Sequence, residues 1–170
     1  MFKVNDTIIY GSEGVCQIVG IEENSFVGIK KTYYVIKPLG REGSTTYVPV
    51  DSEILLAKMR KLLTKKEINE LIDSLPDETI QWKPNERDRK EAYKNILASG
   101  NRVELLRMIH AIYLEKKRLE AVHKRLHMID EHFLKDAEQV LYGEFQHVLK
   151  IPQEEVIPYI VNRIEKKKKS

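Results

Sequence analysis

Residues 82–107 decide the helical part of this chain and read WKPNERDRKEAYKNILASGNRVELLR. Asn85 has the side chain of a helix N-cap, and Gly100 supplies the left-handed residue that ends many helices. Asn101, followed three residues later by Glu104, starts a second helix in the manner of a capping box. The stretch therefore predicts two helices, one over residues 86–97 and one from residue 101 onward.

The first of these helices is charged over most of its surface. Acidic and basic residues alternate along it around a thin apolar strip, and the only tryptophan of the chain, Trp82, lies just before it. A tryptophan beside Arg and Lys side chains suits a surface that meets an anionic partner. In the alternative interpretation, Trp82 anchors a linker to the core and the charges form a solvated helix face. These residues alone leave both interpretations open.

Composition and charge limit the classes of protein to which the chain can belong. The 170 residues can bury one good core or two small ones, and no stretch approaches 18 uninterrupted apolar residues. Residues 1–6 lack the apolar run of a signal peptide, so we expect a cytoplasmic protein. Residues 1–57 hold 5 Lys/Arg against 7 Asp/Glu, whereas the rest holds 24 against 19, which suggests two modules with different partners.

The first module is predicted to be a small β structure. Six of the eight glycines lie in the first 43 residues, between short β-branched and aromatic runs. Such runs are typical of strands separated by turns, and a unit of this size binds partners without room for an active-site cleft. We expect a small antiparallel β-barrel of the SH3 or Tudor type. The predicted strands cover residues 7–10, 15–22, 31–37, 45–50 and 54–57.

One strand of this module is a candidate docking edge. Residues 43–50 read GSTTYVPV, and Pro49 cannot donate to a β-ladder, which favours an edge strand or a strand end. A free edge with Thr, Tyr and Val is a template for a strand supplied by a partner. An ordinary edge protected by its short length is the alternative.

From residue 61 the pattern becomes helical. Thr64 begins a capping box, after which apolar residues recur at helical spacing. A linker over residues 76–84 follows, and later helices are predicted after an Asp130 cap and after Pro152. The fold class is therefore α+β, with a barrel over residues 1–60 followed by an all-α helical bundle over residues 61–170.

The chain lacks the sequence signatures of common catalytic sites. It has neither a glycine-rich phosphate loop nor a His-Glu-x-x-His motif, so we expect neither an enzyme nor a cofactor. His123 and His127 are four residues apart and His132 is nearby, which raises a metal-dependent hydrolase as a minor hypothesis. Surface histidines in a charged segment are the commoner explanation.

Four motifs, in this order, resemble the CarD/CdnL family of bacterial transcription regulators. They are residues 2–10 (FKVNDTIIY) with Gly14 following, residues 47–49 (YVP), residues 97–100 (LASG) and residues 141–144 (LYGE). The first module also resembles the polymerase-interaction domain of the transcription-repair coupling factor. The resemblance implies a Tudor-like domain that binds the β subunit of RNA polymerase through a sheet edge. The residues that would form this edge are Thr45, Thr46, Tyr47, Val48 and Pro49.

The resemblance also implies a helical domain that contacts promoter DNA, where a tryptophan wedge in the minor groove stabilises the open complex. Here Glu86 occupies the position of that tryptophan, Trp82 lies four residues earlier, and Glu91 replaces a basic residue. We predict a regulator that binds RNA polymerase and promoter DNA. The two carboxylates motivate an alternative, an adaptor that binds polymerase without engaging DNA. The candidate DNA contacts are Trp82, Lys83, Arg87, Arg89, Lys90, Lys124 and Arg125.

Overall fold

The computed structural model describes residues 2–40, 42–75 and 82–169, so most of the linker predicted over residues 76–84 lies outside the described residues. The chain divides into two compact units, Met1–Leu62 and Leu63–Ser170. The first unit contains β1 (Thr7–Tyr10), β2 (Gly14–Asn24), β3 (Lys31–Pro38), β4 (Thr46–Pro49), α1 (Glu53–Leu56) and β5 (Met59–Lys61). The second contains α2 (Lys65–Asp73), α3 (Glu86–Ser99), α4 (Arg102–Glu120), α5 (Met128–Leu149) and α6 (Gln153–Lys169).

The first unit is a five-stranded antiparallel sheet in the order β4-β3-β2-β1-β5. All five strands contribute to one core. In the described residues the edge strands β4 and β5 do not pair, so the sheet is not closed, which does not contradict the predicted barrel of the SH3 or Tudor type. The α+β class is confirmed. The core residues are Ile8, Cys16, Ile18, Tyr34, Ile36, Val48 and Met59.

The strand predicted over residues 54–57 is wrong, because this segment forms the short helix α1. The side chain of Ser52 accepts a hydrogen bond from the Leu55 N–H at 3.4 Å, as an N-cap does. Ile54 is 80% exposed, whereas Leu55 and Leu56 pack against the core. A short apolar run fits a strand and a helix equally well, and here the cap favours the helix. The fifth strand, β5, follows the helix and pairs with β1.

In the second unit, α5 is the central helix and contacts each of the other four. Its buried side chains recur at helical spacing and include Phe133, Leu134, Ala137, Leu141 and Phe145. Within the described residues, none of the helices combines the length and the apolarity that a membrane span requires.

Several helix ends lie where the sequence predicts them. The Thr64 and Glu67 side chains form the full capping box of α2, and the Asn85 side chain accepts from two N–H groups at the start of α3. Gly100 ends α3 with φ 64°, in the left-handed region. Lys150, which the sequence pattern does not predict as a helix end, ends α5 in the same conformation, with φ 55°. The predicted division into helices is therefore largely confirmed.

The Asp130 cap is wrong. Helix α5 starts at Met128, and its N-cap is His127, whose side chain makes no capping bond. Asp130 lies in the first helical turn and is 1% exposed. Its carboxylate binds Arg89 and Tyr93 of α3 instead of a backbone N–H. The acidic residue still favours the helix start through the dipole, but its main contacts are with another helix.

Candidate functional site

The first candidate surface is the outer edge of β4. Among the described residues, no strand pairs with the side of β4 that faces away from β3. The N–H of Val50 donates to the Thr32 carbonyl at 3.0 Å, which makes these two residues a hydrogen-bonded pair. Bonded and non-bonded pairs alternate along an antiparallel ladder, so Val48 directs its backbone groups toward β3 and Tyr47 directs its own outward. Tyr47 thus presents a donor and an acceptor to an added strand.

The usable length of this edge is short. Pro49 has no N–H, and its carbonyl already accepts from the Ser52 N–H at 3.2 Å. Strand addition therefore ends before Pro49, and the edge continues toward Thr46 and Thr45, whose side chains are half-buried. A partner held here needs side-chain contacts as well as backbone hydrogen bonds.

The side chains of β4 divide between two faces of the sheet. Val48 lies in the core and is 0% exposed, so its side chain is not available to a partner. Tyr47 lies on the opposite face and is 38% exposed. Only one of these two predicted contact residues therefore offers its side chain at the surface.

Tyr47 belongs to an aromatic cluster with Phe26 and Tyr33. The ring centroids lie 4.8 Å apart for Phe26 and Tyr47, 5.2 Å for Phe26 and Tyr33, and 6.3 Å for Tyr33 and Tyr47, all edge-to-face. Phe26 is 53% exposed and Tyr33 only 6%. Rigid, partly exposed aromatic rings are the side chains that contribute most to protein interfaces. The cluster therefore adds apolar contact area directly beside the Tyr47 backbone.

The second candidate surface lies around the start of α3, where Arg89 points inward. Its Nε and Nη2 donate to the two carboxylate oxygens of Asp130 at 2.9 and 2.8 Å, and the Tyr93 hydroxyl donates to the same carboxylate at 2.7 Å. Hydrogen bonding to Asp130 raises the pKa of Arg89, and burial raises that of Tyr93. Arg89 is 5% exposed, so its guanidinium is engaged inside the unit and does not reach a phosphate.

Arg89 also holds Trp82. Its guanidinium carbon lies 4.8 Å from the centroid of the Trp82 ring, a cation–π distance. Its Nη1 donates to the carbonyl oxygens of Lys83 and Pro84, both at 3.2 Å. Trp82 is half-buried and packs against the helical core at a cavity of about 290 Å³. The anchor interpretation of Trp82 therefore holds for part of the ring, and the rest of it faces solvent.

The remaining predicted DNA contacts are exposed and lie at one end of the helical unit. His127 Nδ1 is 3.8 Å from Glu86 Oε2, which places the first turn of α3 against the residues that precede α5. Exposed carboxylates, among them Glu86, Asp88 and Glu91, share this end. We call the five exposed cations the basic end. They are Lys83, Arg87, Lys90, Lys124 and Arg125.

Comparison with known proteins identifies the first unit. Residues 2–63 match the family model described as CarD-like/TRCF RID domain. This match supports a CarD-like RNA polymerase-interacting domain in the first unit, which we call the RID domain. The predicted resemblance is thereby confirmed for the sheet, and RNA polymerase is the class of partner that goes with it. No curated protein matches the chain.

The RID domain carries a feature that the sequence reading missed. The turn between β2 and β3 exposes Phe26, Val27 and Ile29, at 53%, 75% and 59%. The available signal was the Phe-Val-Gly-Ile sequence between two strands, where polar turn residues are usual. Through Phe26, this turn lies next to the β4 edge of the RID domain.

Outside the RID domain, the three histidines do not converge. His127 faces Glu86, while His132 Nε2 lies 3.4 Å from Asp136 Oδ2, one turn further along its own helix. His123 has φ 57° and belongs to the turn that ends α4. In the part of the chain that the structure describes, no group of three His, Cys, Asp or Glu side chains is arranged to hold a metal ion.

Proposed function

We propose that the chain is a transcription regulator that binds the β subunit of bacterial RNA polymerase through the β4 edge of its RID domain. The observation that supports this proposal is the outward-facing Tyr47 backbone on an edge strand, in a domain of an RNA polymerase-interacting family. A strand of the β subunit adds to this edge near residues 45–47. The Phe26–Tyr33–Tyr47 cluster contributes apolar contacts beside it.

Two substitutions at one position separate the backbone and side-chain contributions. Tyr47→Ala removes the ring and keeps the N–H, whereas Tyr47→Pro removes both; proline is tolerated at an outward-facing edge position. We expect Tyr47→Ala to weaken binding to purified polymerase by roughly 30-fold, as a hot-spot residue worth about 2 kcal/mol does. Tyr47→Pro should weaken it further because the donor to the added strand is lost.

The control is Tyr47→Phe, which keeps both contributions and should bind close to the wild type. Circular dichroism of each variant checks that the sheet is intact. If Tyr47→Pro and Tyr47→Ala weaken polymerase binding by the same factor, the β4 edge does not accept a strand, and the interface there consists of side-chain contacts alone. Wild-type binding by both variants removes the β4 edge from the interface.

We propose further that the basic end contacts promoter DNA and stabilises the open complex. Lys83, Arg87 and Lys90 from the start of α3, together with Lys124 and Arg125 before α5, are exposed and lie at one end of the helical unit. Contacts of this kind bind phosphates with little sequence preference and weaken with salt. In this proposal Trp82 reaches the DNA, and Arg89 acts as a positioning residue that holds it.

A charge-matched pair of variants tests the DNA proposal. Lys124→Gln/Arg125→Gln should shorten the open-complex lifetime. It should also reduce the salt dependence of the open complex by an amount equivalent to the loss of up to about two phosphate contacts. Lys65→Gln/Lys66→Gln, at the start of α2, removes the same charge elsewhere and should leave the lifetime unchanged. Polymerase binding should be equal for both.

The adaptor is a second candidate function, favoured by the exposed carboxylates of Glu86 and Glu91, which repel phosphate. Polymerase binding together with an open-complex lifetime that neither double variant changes would support the adaptor and exclude the basic end as a DNA contact. A lifetime shortened equally by both double variants would indicate a general charge effect.

A further inference from the structure

A groove of about 370 Å³ lies between α4 and α6 of the helical unit, and its lining residues include none of those assigned to polymerase or DNA. Its α4 wall extends from Leu106 to Lys117, which corresponds to about 16 Å of helix. The side chains inside it are mostly aliphatic. They include Leu106, Ile109 and Leu114 of α4 and Ile157, Ile160 and Ile164 of α6.

One end of the groove is cationic. Lys117 lies at this end of the α4 wall, and Lys168 follows Ile164 by one turn of α6. In the described part of the chain neither lysine is paired with a carboxylate, and both are exposed. His110 also lines the groove; burial lowers its pKa, and the charges of Lys117 and Lys168 lower it further.

None of the described residues that line the groove carries a carboxylate. Glu138 accepts a hydrogen bond from the Tyr113 hydroxyl at 2.7 Å, and Tyr113 lines the groove. The site therefore combines an elongated apolar channel with positive charge at a single end. This distribution is complementary to a molecule that has one hydrocarbon chain and one anionic head group.

We propose that this groove binds a single-chain anionic amphiphile, with its hydrocarbon chain between α4 and α6 and its head group at Lys117 and Lys168. The volume of about 370 Å³ lies within the range of small-ligand sites, roughly 300–1,000 Å³. Burial of the chain supplies affinity in proportion to its length, and the two lysines select the charged head group.

Two other occupants fit less well. A second copy of the chain, docked symmetrically through this face, has no carboxylate among the described residues of its own groove to offer to Lys117 and Lys168. An α-helix from a partner is about 10 Å wide, so over 16 Å it occupies roughly 1,200 Å³. This volume is several times that of the groove.

Calorimetric titration of the full chain with decanoate tests the proposal, and 1-decanol serves as the uncharged probe with the same chain length. We expect saturable one-to-one binding of decanoate and weaker binding of 1-decanol. Lys117→Gln/Lys168→Gln should weaken decanoate binding at least about tenfold, because a hydrogen bond to a charged group is lost. Val161→Arg, at a wall position that is 44% exposed, should block the groove without disturbing the core.

Lys116→Gln/Lys166→Gln is the matched control, since both are sequence neighbours of the proposed pair but neither lines the groove or is among the charges that lower the pKa of His110. It should bind decanoate as the wild type does. The proposal is overturned if decanoate does not saturate, if 1-decanol binds equally well, or if the control double variant loses as much affinity. Binding unaffected by Val161→Arg would place the ligand elsewhere. None of these outcomes depends on polymerase or DNA.

Discussion

Asp130→Asn is expected to loosen Trp82 through Arg89, which contacts both residues. The substitution keeps the size of the side chain but removes the charge that compensates Arg89, whose guanidinium stays buried. Removing one partner of a buried ion pair costs about 3–5 kcal/mol of unfolding free energy. For a unit of this size the melting temperature should fall by roughly 10–25 °C. Because Arg89 holds Trp82 and the carbonyl groups after it, the tryptophan should become more exposed.

The assay uses Trp82 as a probe, since it is the only tryptophan in the chain. Urea unfolding followed by circular dichroism gives the stability of the helical unit. The emission maximum and iodide quenching of Trp82, measured before unfolding begins, report its exposure. We expect a red-shifted emission and faster quenching in Asp130→Asn than in the wild type.

Glu144→Gln provides a control of matched chemistry. Glu144 is 2% exposed and accepts from Arg102 Nε and Nη2 at 2.7 and 2.8 Å, and from the Leu63 N–H at 2.8 Å. Glu144→Gln should lower the unfolding free energy of the helical unit by a similar amount and leave the emission of Trp82 unchanged. The reasoning is refuted if Asp130→Asn leaves the quenching of Trp82 unchanged, or if Glu144→Gln alters it equally.

Three further outcomes follow from the structure. Val48→Asp should unfold the RID domain because it buries an unpaired charge, whereas Tyr47→Asp should leave the sheet folded; thermal unfolding of each variant distinguishes them. Lys150→Gly should raise the unfolding free energy by about 1 kcal/mol in urea titration, because glycine has no steric penalty at φ 55°. The pKa of His110 is lowered from 6.5 in the folded state. As the pH falls through 6.5, this histidine is therefore protonated in the unfolded chain at a higher pH than in the folded chain. Stability should therefore drop between pH 7.5 and 5.5, and His110→Gln should reduce this drop in urea titrations at the two pH values.

Features fixed by neighbouring residues could be predicted from the sequence. The capping box at Thr64, the Asn85 cap and the left-handed Gly100 each depend on groups within four residues, and all three are present. The strand predicted over residues 54–57 is wrong although a local signal for a helix is present in the sequence. An apolar run of four residues carries no clear period, so the cap at Ser52 is the signal that decides for the helix.

Features fixed by distant residues could not be predicted. Arg89 looked like one of several surface cations, but its partner Asp130 lies 41 residues away in sequence. Once α3 and α5 pack together, the carboxylate and the guanidinium meet in the interior and neither is available to solvent. The aromatic cluster is a similar case, since Phe26 and Tyr47 come from separate segments that only the sheet brings together.

Two of the motifs that resemble the CarD/CdnL family have structural roles in the helical unit. Gly100 ends α3 in the left-handed region, and Glu144 ties Arg102 at the start of α4 to the backbone ahead of α2. These residues specify how the helices meet, so the resemblance they carry concerns the architecture of the bundle. The proposed contacts with DNA depend instead on exposed side chains such as Lys124, which the packing of the core does not constrain, and exposed carboxylates such as Glu86 oppose them. The same bundle can therefore gain or lose affinity for DNA through surface charge alone, and for this reason the DNA proposal is tested by charge substitutions at the basic end.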